Sequence, residues 1–336
     1  MQIRPLDASD PGALAAWYAA YHAADTHGRE HPTPWTLEEW RANFTGDRPG
    51  EDRVPVALHV DGDVVACGLV ELPMQDNLDL AWGSAWTHPA HRGRGHGTAV
   101  LDHLLDVARD RGRTTFTTEV FVPYDSPEDG AGHPDADWAL RRGFVLDISN
   151  VVRVLDLPVD EEHVQRLADE AAPHHGDYTL RQFRGPIPDD IVEAFGRLVG
   201  ALMVEAPSGQ VEKEHEVMDV ARIRADEAVF EASGRTKYTT VAVAPDGELA
   251  AYSELVVPRY DPGHVFQWGT LVLPEHRGHR LGMATKAHNL LWLQREEPAR
   301  TALVTTNAEV NRHMIAVNEA LGFRPVERAV ELVRKL

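Results

Sequence analysis

The residues best suited to chemistry in this 336-residue chain lie in two short stretches rich in glycine and arginine. HPAHRGRGHG spans His88 to Gly97, and LPEHRGHRLG spans Leu273 to Gly282. In each case strand-like sequence enters the stretch and helix-like sequence leaves it. A helix N-terminus presents unpaired N–H groups and the positive end of the helix dipole. Glycines let successive amides converge on one anion without Cβ interference. Together they make a phosphate cradle, to which Arg92 and Arg94 add charge-assisted contacts. The spacing excludes a P-loop, which needs Gly-x-x-x-x-Gly-Lys-Ser/Thr. It also excludes the dinucleotide fingerprint, whose Gly-x-Gly-x-x-Gly follows the first strand of a βαβ unit. Arg-x-x-Gly-x-Gly fits, at Arg92, Gly95 and Gly97. His88, His91 and His96 straddle the loop with no acid or cysteine to complete a metal site, so no metal is expected.

The elements that must hold these loops occur twice. Sliding the chain against itself at one fixed offset carries Arg92 onto Arg277, and DGDVVACGLVELP (61–73) onto DGELAAYSELVVP (246–258), without a gap. A repeat of this length is a domain rather than a solenoid unit. The first copy reads as a strand at Gln2–Leu6 and helices at 12–24 and 32–44, with Thr36 as N-cap of the second. A hairpin closes at Asp61-Gly62, and a strand at 80–88 leads into the loop. A helix follows at 98–111, a strand at 114–122, a short helix at 134–142 and a final strand at 144–157. The second copy repeats the order. Its strand is at 178–183, helix at 189–203, hairpin at 239–257, strand at 265–273, helix at 284–295, strand at 301–306, helix at 309–321 and strand at 329–333. The boundaries expected are 1–158 for the N-terminal domain, 159–177 for a linking helix and break, and 178–336 for the C-terminal domain.

Composition narrows the partners. Net charge is −20, with 43% hydrophobic and 26% charged residues, so nucleic acid and anionic membranes are repelled and cationic small molecules favoured. No apolar run approaches the 18 residues of a membrane span, and the opening MQIRPLDASD lacks a signal's apolar middle. The single Cys67 forms no internal disulfide. A cytoplasmic protein, monomer or homodimer, is expected.

Strand, hairpin, strand, HPAHRGRGHG, amphipathic helix, strand, helix and RRGF together resemble an acyl-CoA N-acyltransferase of the GNAT superfamily. LVLPEHRGHRLGMA and NAEVNRHMIAVNEALGF carry the same likeness in the second copy. The resemblance implies an α/β (α+β) fold of two tandem GNAT domains, each a mixed, mostly antiparallel sheet flanked by helices. It implies acetyl-CoA as co-substrate and an amine acceptor; the acidic balance favours the primary amine of a small-molecule, cationic metabolite, with protein N-termini as the other acceptor class. The loops, Arg92, Gly93, Arg94, Gly95, His96 and Gly97, and Arg277, Gly278, His279, Arg280, Leu281 and Gly282, would bind the pyrophosphate. The strands before them, at Trp86, Thr87 and His88 and at Leu271, Val272 and Leu273, would pair with the pantetheine arm. The family's Asn position holds Gly132 in the first copy and Asn311 in the second; its Tyr position holds Ala139 and Asn318. His133 or Tyr124 could substitute in the first copy. Candidate bases are Glu254 and His264 in the second copy, and Glu71 and Asp79 in the first. With Asn311 in place, chemistry is expected in the second copy through Glu254, His264 and Asn318; the opposite assignment stays open. The alternative is a non-catalytic acyl-CoA sensor or scaffold, since neither copy keeps the tyrosine.

Overall fold

Local signals set where helices begin. Thr36 caps the helix at Leu37–Thr45 through a capping box with Glu39, and Asp10 accepts from the amides of Gly12 and Ala13 to open the helix at Pro11–Asp25. The structure, a computed structural model, describes residues 1–336. It forms two compact units, Met1–Ser149 with Glu327–Leu336, and Asn150–Val326.

The first unit contains β1 (Gln2–Pro5), α1 (Pro11–Asp25), α2 (Leu37–Thr45), β2 (Glu51–Val60), β3 (Asp63–Pro73), β4 (Leu80–Thr87), α3 (His96–Asp110), β5 (Thr115–Pro123), α4 (Pro134–Leu140) and the start of β6 (Val145–Asp156). Its sheet runs β1-β2-β3-β4-β5 and continues with residues 327–335 of β12 (Arg324–Lys335), antiparallel to β5 from Glu327↔Pro123 to Lys335↔Thr115. Only β4 and β5 are parallel. On one face, Val100, Leu101, Leu104 and Leu105 of α3 pack on Phe116, Val122, Val330 and Leu332. Each leucine buried there contributes about 1.5–3 kcal/mol. On the other face α1 and α2 bring Trp17, Tyr21 and Trp40 against Trp86.

The second unit contains the rest of β6, α5 (Glu161–Ala171), β7 (Thr179–Arg184), α6 (Val192–Gly200), α7 (Leu202–Glu205), α8 (Val220–Ala232), β8 (Arg235–Val243), β9 (Leu249–Pro258), β10 (His264–Val272), α9 (Leu281–Glu296), β11 (Ala302–Ala308) and α10 (Arg312–Leu321). Asn150–Asp156 pairs antiparallel with β11, β11 runs parallel to β10, and β9, β8 and β7 follow in antiparallel order. Leu290, Leu293 and Ala287 of α9 join Val164 and Ala168 of α5 in one core; Phe195, Leu198 and Ile223 pack on Tyr252 across the sheet. The expected linking helix of 159–177 is α5, which lies on α9 in the second core.

The mixed, mostly antiparallel α/β architecture is the one expected, and the structure refines the boundaries. The final strands are exchanged: residues 150–156 complete the second sheet and residues 327–335 the first. Both strands follow a short helix and a Gly-Phe step, Gly143-Phe144 or Gly322-Phe323. Each satisfies the open edge of β5 or β11, which cannot stay unpaired.

Candidate functional site

In the first unit a single 3₁₀ turn at Pro89–His91 ends β4's run, and α3 opens at His96 without a side-chain cap. Gly95 sits in the left-handed region at φ 83°, which an L side chain adopts only at a cost. The first bond inside the helix runs from the Ala99 amide to the Gly95 carbonyl at 3.0 Å, so the His96, Gly97 and Thr98 amides point outward as donors. A Cβ at Gly97 would lie 2.9 Å from the Thr87 hydroxyl; glycine lets α3 start that close to β4. Arg92 is partly exposed beside Asp135 at 3.5 Å, and Arg94 is exposed. The ring of His96 is buried with Nδ1 unbonded. Burial, then the neighbouring His91 and Arg94, pull its pKa down.

Beyond the cradle the strands part. β4 pairs with β5 only at Leu80↔Thr115, Ala81↔Phe116 and Trp82↔Thr117, whereas it stays paired with β3 as far as Thr87. The open edge between Trp82 and Thr87 is about 16 Å long at strand spacing. The His88 amide donates to the Val65 carbonyl on β3, and the Ala81 carbonyl faces Thr117 on β5. Alternation then turns the Gly83, Ala85 and Thr87 amides into the opening. Of the expected Trp86, Thr87 and His88, only Thr87 offers its backbone there. Trp86 and His88 are turned toward β3, because successive residues of a strand face opposite neighbours.

The α1/α2 face of the opening carries a carboxylate that sequence reasoning missed. Phe116 and Val122 point into the α3 core, so Glu119 points to the opposite face, two residues past the last pairing of β4 with β5. Glu119 is exposed. Surrounding protein and then the Glu331 carboxylate raise its pKa to about 7. Glu331 stands directly across from it on β12. The other sequence candidates in this unit have structural work. Glu71 bonds Arg53 at 2.9 Å, and burial followed by Glu51 raises its pKa to about 7. The Asp79 backbone carbonyl accepts from Thr114 and Thr115. His133 caps α4, Tyr124 is exposed under Arg328, and Ala139 lies in the core.

The second unit keeps the cradle's backbone and engages its side chains. Arg280 adopts the left-handed conformation of Gly95, at φ 52°, ahead of α9. Its guanidinium turns away to the Glu170 carbonyl at 3.2 Å. His279 bonds the His174 carbonyl at 3.0 Å. Arg277 pairs with Glu205 at 2.8 Å and leans on the Val272 carbonyl at 3.4 Å. β10 pairs with β11 from His264 to Gln267 and bulges before Thr270. The Leu273 amide donates to Ala250 on β9, so Val272 faces the opening while Leu271 and Leu273 do not.

The expected catalytic residues of this unit are each bonded within the protein. Glu254 is buried and paired with Lys237 at 3.0 Å. His264 starts β10, at the end remote from the loop, and its bond to Asp261 at 2.8 Å raises its pKa. Asn318 is fully buried, accepting from Lys286 Nζ at 2.7 Å and donating to Asn307 at 3.1 Å. Asn311 caps α10 through the Met314 amide at 3.1 Å.

The acetyltransferase (GNAT) family matches residues 14–127. Over the whole chain the structure is similar to a tandem GNAT protein from the clavulanic acid biosynthesis pathway, at 28% identity and TM-score 0.81, covering 99% of this chain and 98% of that one. A GCN5-related N-acetyltransferase from Sphaerobacter thermophilus shares the fold at 15% identity and TM-score 0.61, covering 99% and 95%. So does an acetyltransferase-like protein from Pyrococcus horikoshii, at 13% identity and TM-score 0.53, covering 100% and 89%. Among curated protein sequences nothing matches. Residues 14–127 thus resemble the GNAT acetyltransferases, and throughout its length the chain shares the fold of a tandem GNAT protein.

Proposed function

We propose that the first unit is an acetyl-CoA-dependent N-acetyltransferase acting on the primary amine of a small cationic metabolite in the cytoplasm. The observation that carries this reading is Glu119, an exposed carboxylate beside an opened pair of strands that also present a cradle of free amides. The cradle, with Arg92 and Arg94, suits the pyrophosphate, and the gap-facing amides suit an extended amide-bearing arm. Binding the remote nucleotide then orients the thioester. The acceptor arrives as an ammonium. Glu119 removes one proton, the amine nitrogen bonds the thioester carbon and sheds its second proton to solvent, the carbon–sulfur bond breaks, and the thiolate leaves to be protonated from solvent. A gap-facing N–H steadies the developing oxyanion. The similar tandem GNAT protein from the clavulanic acid biosynthesis pathway supports a small-molecule acceptor.

The second unit is assigned a supporting role, reversing the expectation from sequence, because Arg277, His279 and Arg280 are already bonded within the protein. The non-catalytic acyl-CoA sensor is the rival reading, supported by the buried Ala139 and the fully bonded Asn318 at the tyrosine position. Thiol release measured with acetyl-CoA and a panel of amines separates them. Glu119→Gln should lower kcat/KM by about 10²–10⁴-fold with acetyl-CoA affinity unchanged. Binding without thiol release across the panel would establish the sensor. Full activity of Glu119→Gln, with loss in Arg277→Ala, would move the chemistry to the second unit.

A further inference from the structure

One face of α4 is set against the cradle of the first unit. Asp135 and Trp138 leave the helix on the same side, and Arg142 continues that row just past its end. Each meets the loop or the first turn of α3. Asp135 stands 3.5 Å from Arg92. The Arg142 guanidinium donates to the Thr98 hydroxyl at 2.5 Å and to the Trp138 carbonyl at 2.9 Å. It also lies 4.2 Å from the centroid of the Trp138 ring, which it braces on one face. The ring edge at Cζ2 stands 3.7 Å from where a Cβ on Gly97 would be, and the Thr87 hydroxyl stands 2.9 Å from the same point. Gly97 is therefore where the last gap-facing residue of β4, the cradle and the indole edge converge.

A donor is left over on that edge. Nε1 is bonded to the ring carbon next to Cζ2, so the indole N–H belongs to the side of the ring turned to Gly97. It bonds no protein atom and it reaches solvent. The body of the ring packs on the α3 core, so Trp138 is apolar toward the protein and a donor toward the cradle. The equivalent position of the second unit, five residues before the Gly-Phe glycine, is Val317, which packs on the α9 core and has no donor.

We propose that Trp138 is a positioning residue for the co-substrate, holding the branched, dimethyl-bearing segment of the CoA arm that follows the pyrophosphate. The ring edge covers the methyl groups, and the N–H donates to the hydroxyl or amide carbonyl beside them. The inference rests on the acyl-CoA reading of the first unit. Gly132 and Ala139 offer the arm no polar side chain, and the Gly83, Ala85 and Thr87 amides hold it from β4 alone. Trp138 adds a contact from α4 at the point where the arm leaves the cradle, so two elements fix its direction into the gap.

The test is calorimetry on the full chain with CoA and with 3′-phospho-ADP, the same nucleotide end without the arm. Trp138→Phe keeps a ring and removes the N–H. It should raise the Kd for CoA about fivefold, the scale of one neutral hydrogen bond, and leave 3′-phospho-ADP within about twofold. Trp138→Leu should raise the Kd for CoA about thirtyfold, with the nucleotide again little changed. A tryptophan that only supported the fold would alter both probes alike. Fluorine NMR of protein labelled with 5-fluorotryptophan ties the readout to the first unit: the resonance missing from Trp138→Phe should move further with CoA than with 3′-phospho-ADP. Parallel losses for the two probes, an unchanged CoA affinity in both variants, or a resonance that CoA does not move overturn the proposal, and with turnover intact they overturn it alone. Arm-selective loss in a protein that releases no thiol across the amine panel upholds the role of Trp138 and overturns the acetyl-transfer reading instead.

Discussion

At the scale of the residue, what separates Glu119 from Glu254 is not residue type but who stands beside it. Both are glutamates on central strands. Glu254 has Lys237 at 3.0 Å, whereas Glu119 has Glu331 across the sheet. That contrast was invisible in sequence, because the strand that brings Glu331 lies far downstream. The activity should follow the protonation of Glu119. Below its folded pKa of about 7 the base is neutral and inactive, so kcat/KM should rise with pH through that value, and Glu119→Gln should flatten the limb. Lys286 gives the opposite sign for stability. Burial lowers its pKa from 10.5 to about 7, with the neutral Asn318 as its bonded partner. The unfolded chain therefore binds one more proton than the folded one between those values, and the penalty weakens as pH climbs from 7 towards 10. Lys286→Met should raise the Tm at pH 7 and narrow the gap between melting at pH 7 and pH 9.5; a Tm that falls equally at both would refute the argument.

At the scale of the element, period and punctuation carried most of the information. Strand, loop and helix around both cradles stand where alternation, glycine and amphipathic spacing put them. α8 was not anticipated, because its buried Ile223 and Val229 do not define a continuous apolar stripe. The direction of individual amides was legible only in part, since one residue of register decides whether Trp86 or Thr87 looks into the opening. The loops themselves show which glycine matters. Arg280 demonstrates that a side chain is tolerated at the left-handed position when it can leave the cradle for the Glu170 carbonyl. Gly95→Ala meets no neighbour within 4 Å and should cost only the left-handed penalty of about 1–2 kcal/mol. Gly97→Ala has to displace the Thr87 hydroxyl from 2.9 Å, on the residue whose amide faces the gap. Acetyl-CoA titrations should therefore show a larger loss of affinity for Gly97→Ala than for Gly95→Ala, while Arg280→Gly leaves turnover unchanged.

At the scale of the molecule, duplication was readable from the repeat of the loops, but the exchange of strands was not. β6 and β12 follow equivalent helices and satisfy equivalent edges, so chain order alone did not say which sheet each joins. The consequence is that the first unit cannot be cut out as a consecutive piece. Residues 1–149 alone would leave the whole of β5 from Thr115 to Pro123 without its partner and remove Val330 and Leu332 from the α3 core. An open apolar edge of that length is a template for aggregation, and two buried aliphatic side chains lost from a core cost about 2–5 kcal/mol each. Residues 1–149 expressed by themselves should be insoluble or melt without cooperativity. The same piece with residues 327–336 joined behind Ser149 through a flexible linker should melt in one transition and bind acetyl-CoA, because the graft restores both the edge and Glu331. Cooperative melting of the ungrafted piece at an unchanged temperature would mean that β12 is dispensable to the first sheet, and that its carboxylates stand beside Glu119 without being built into the unit.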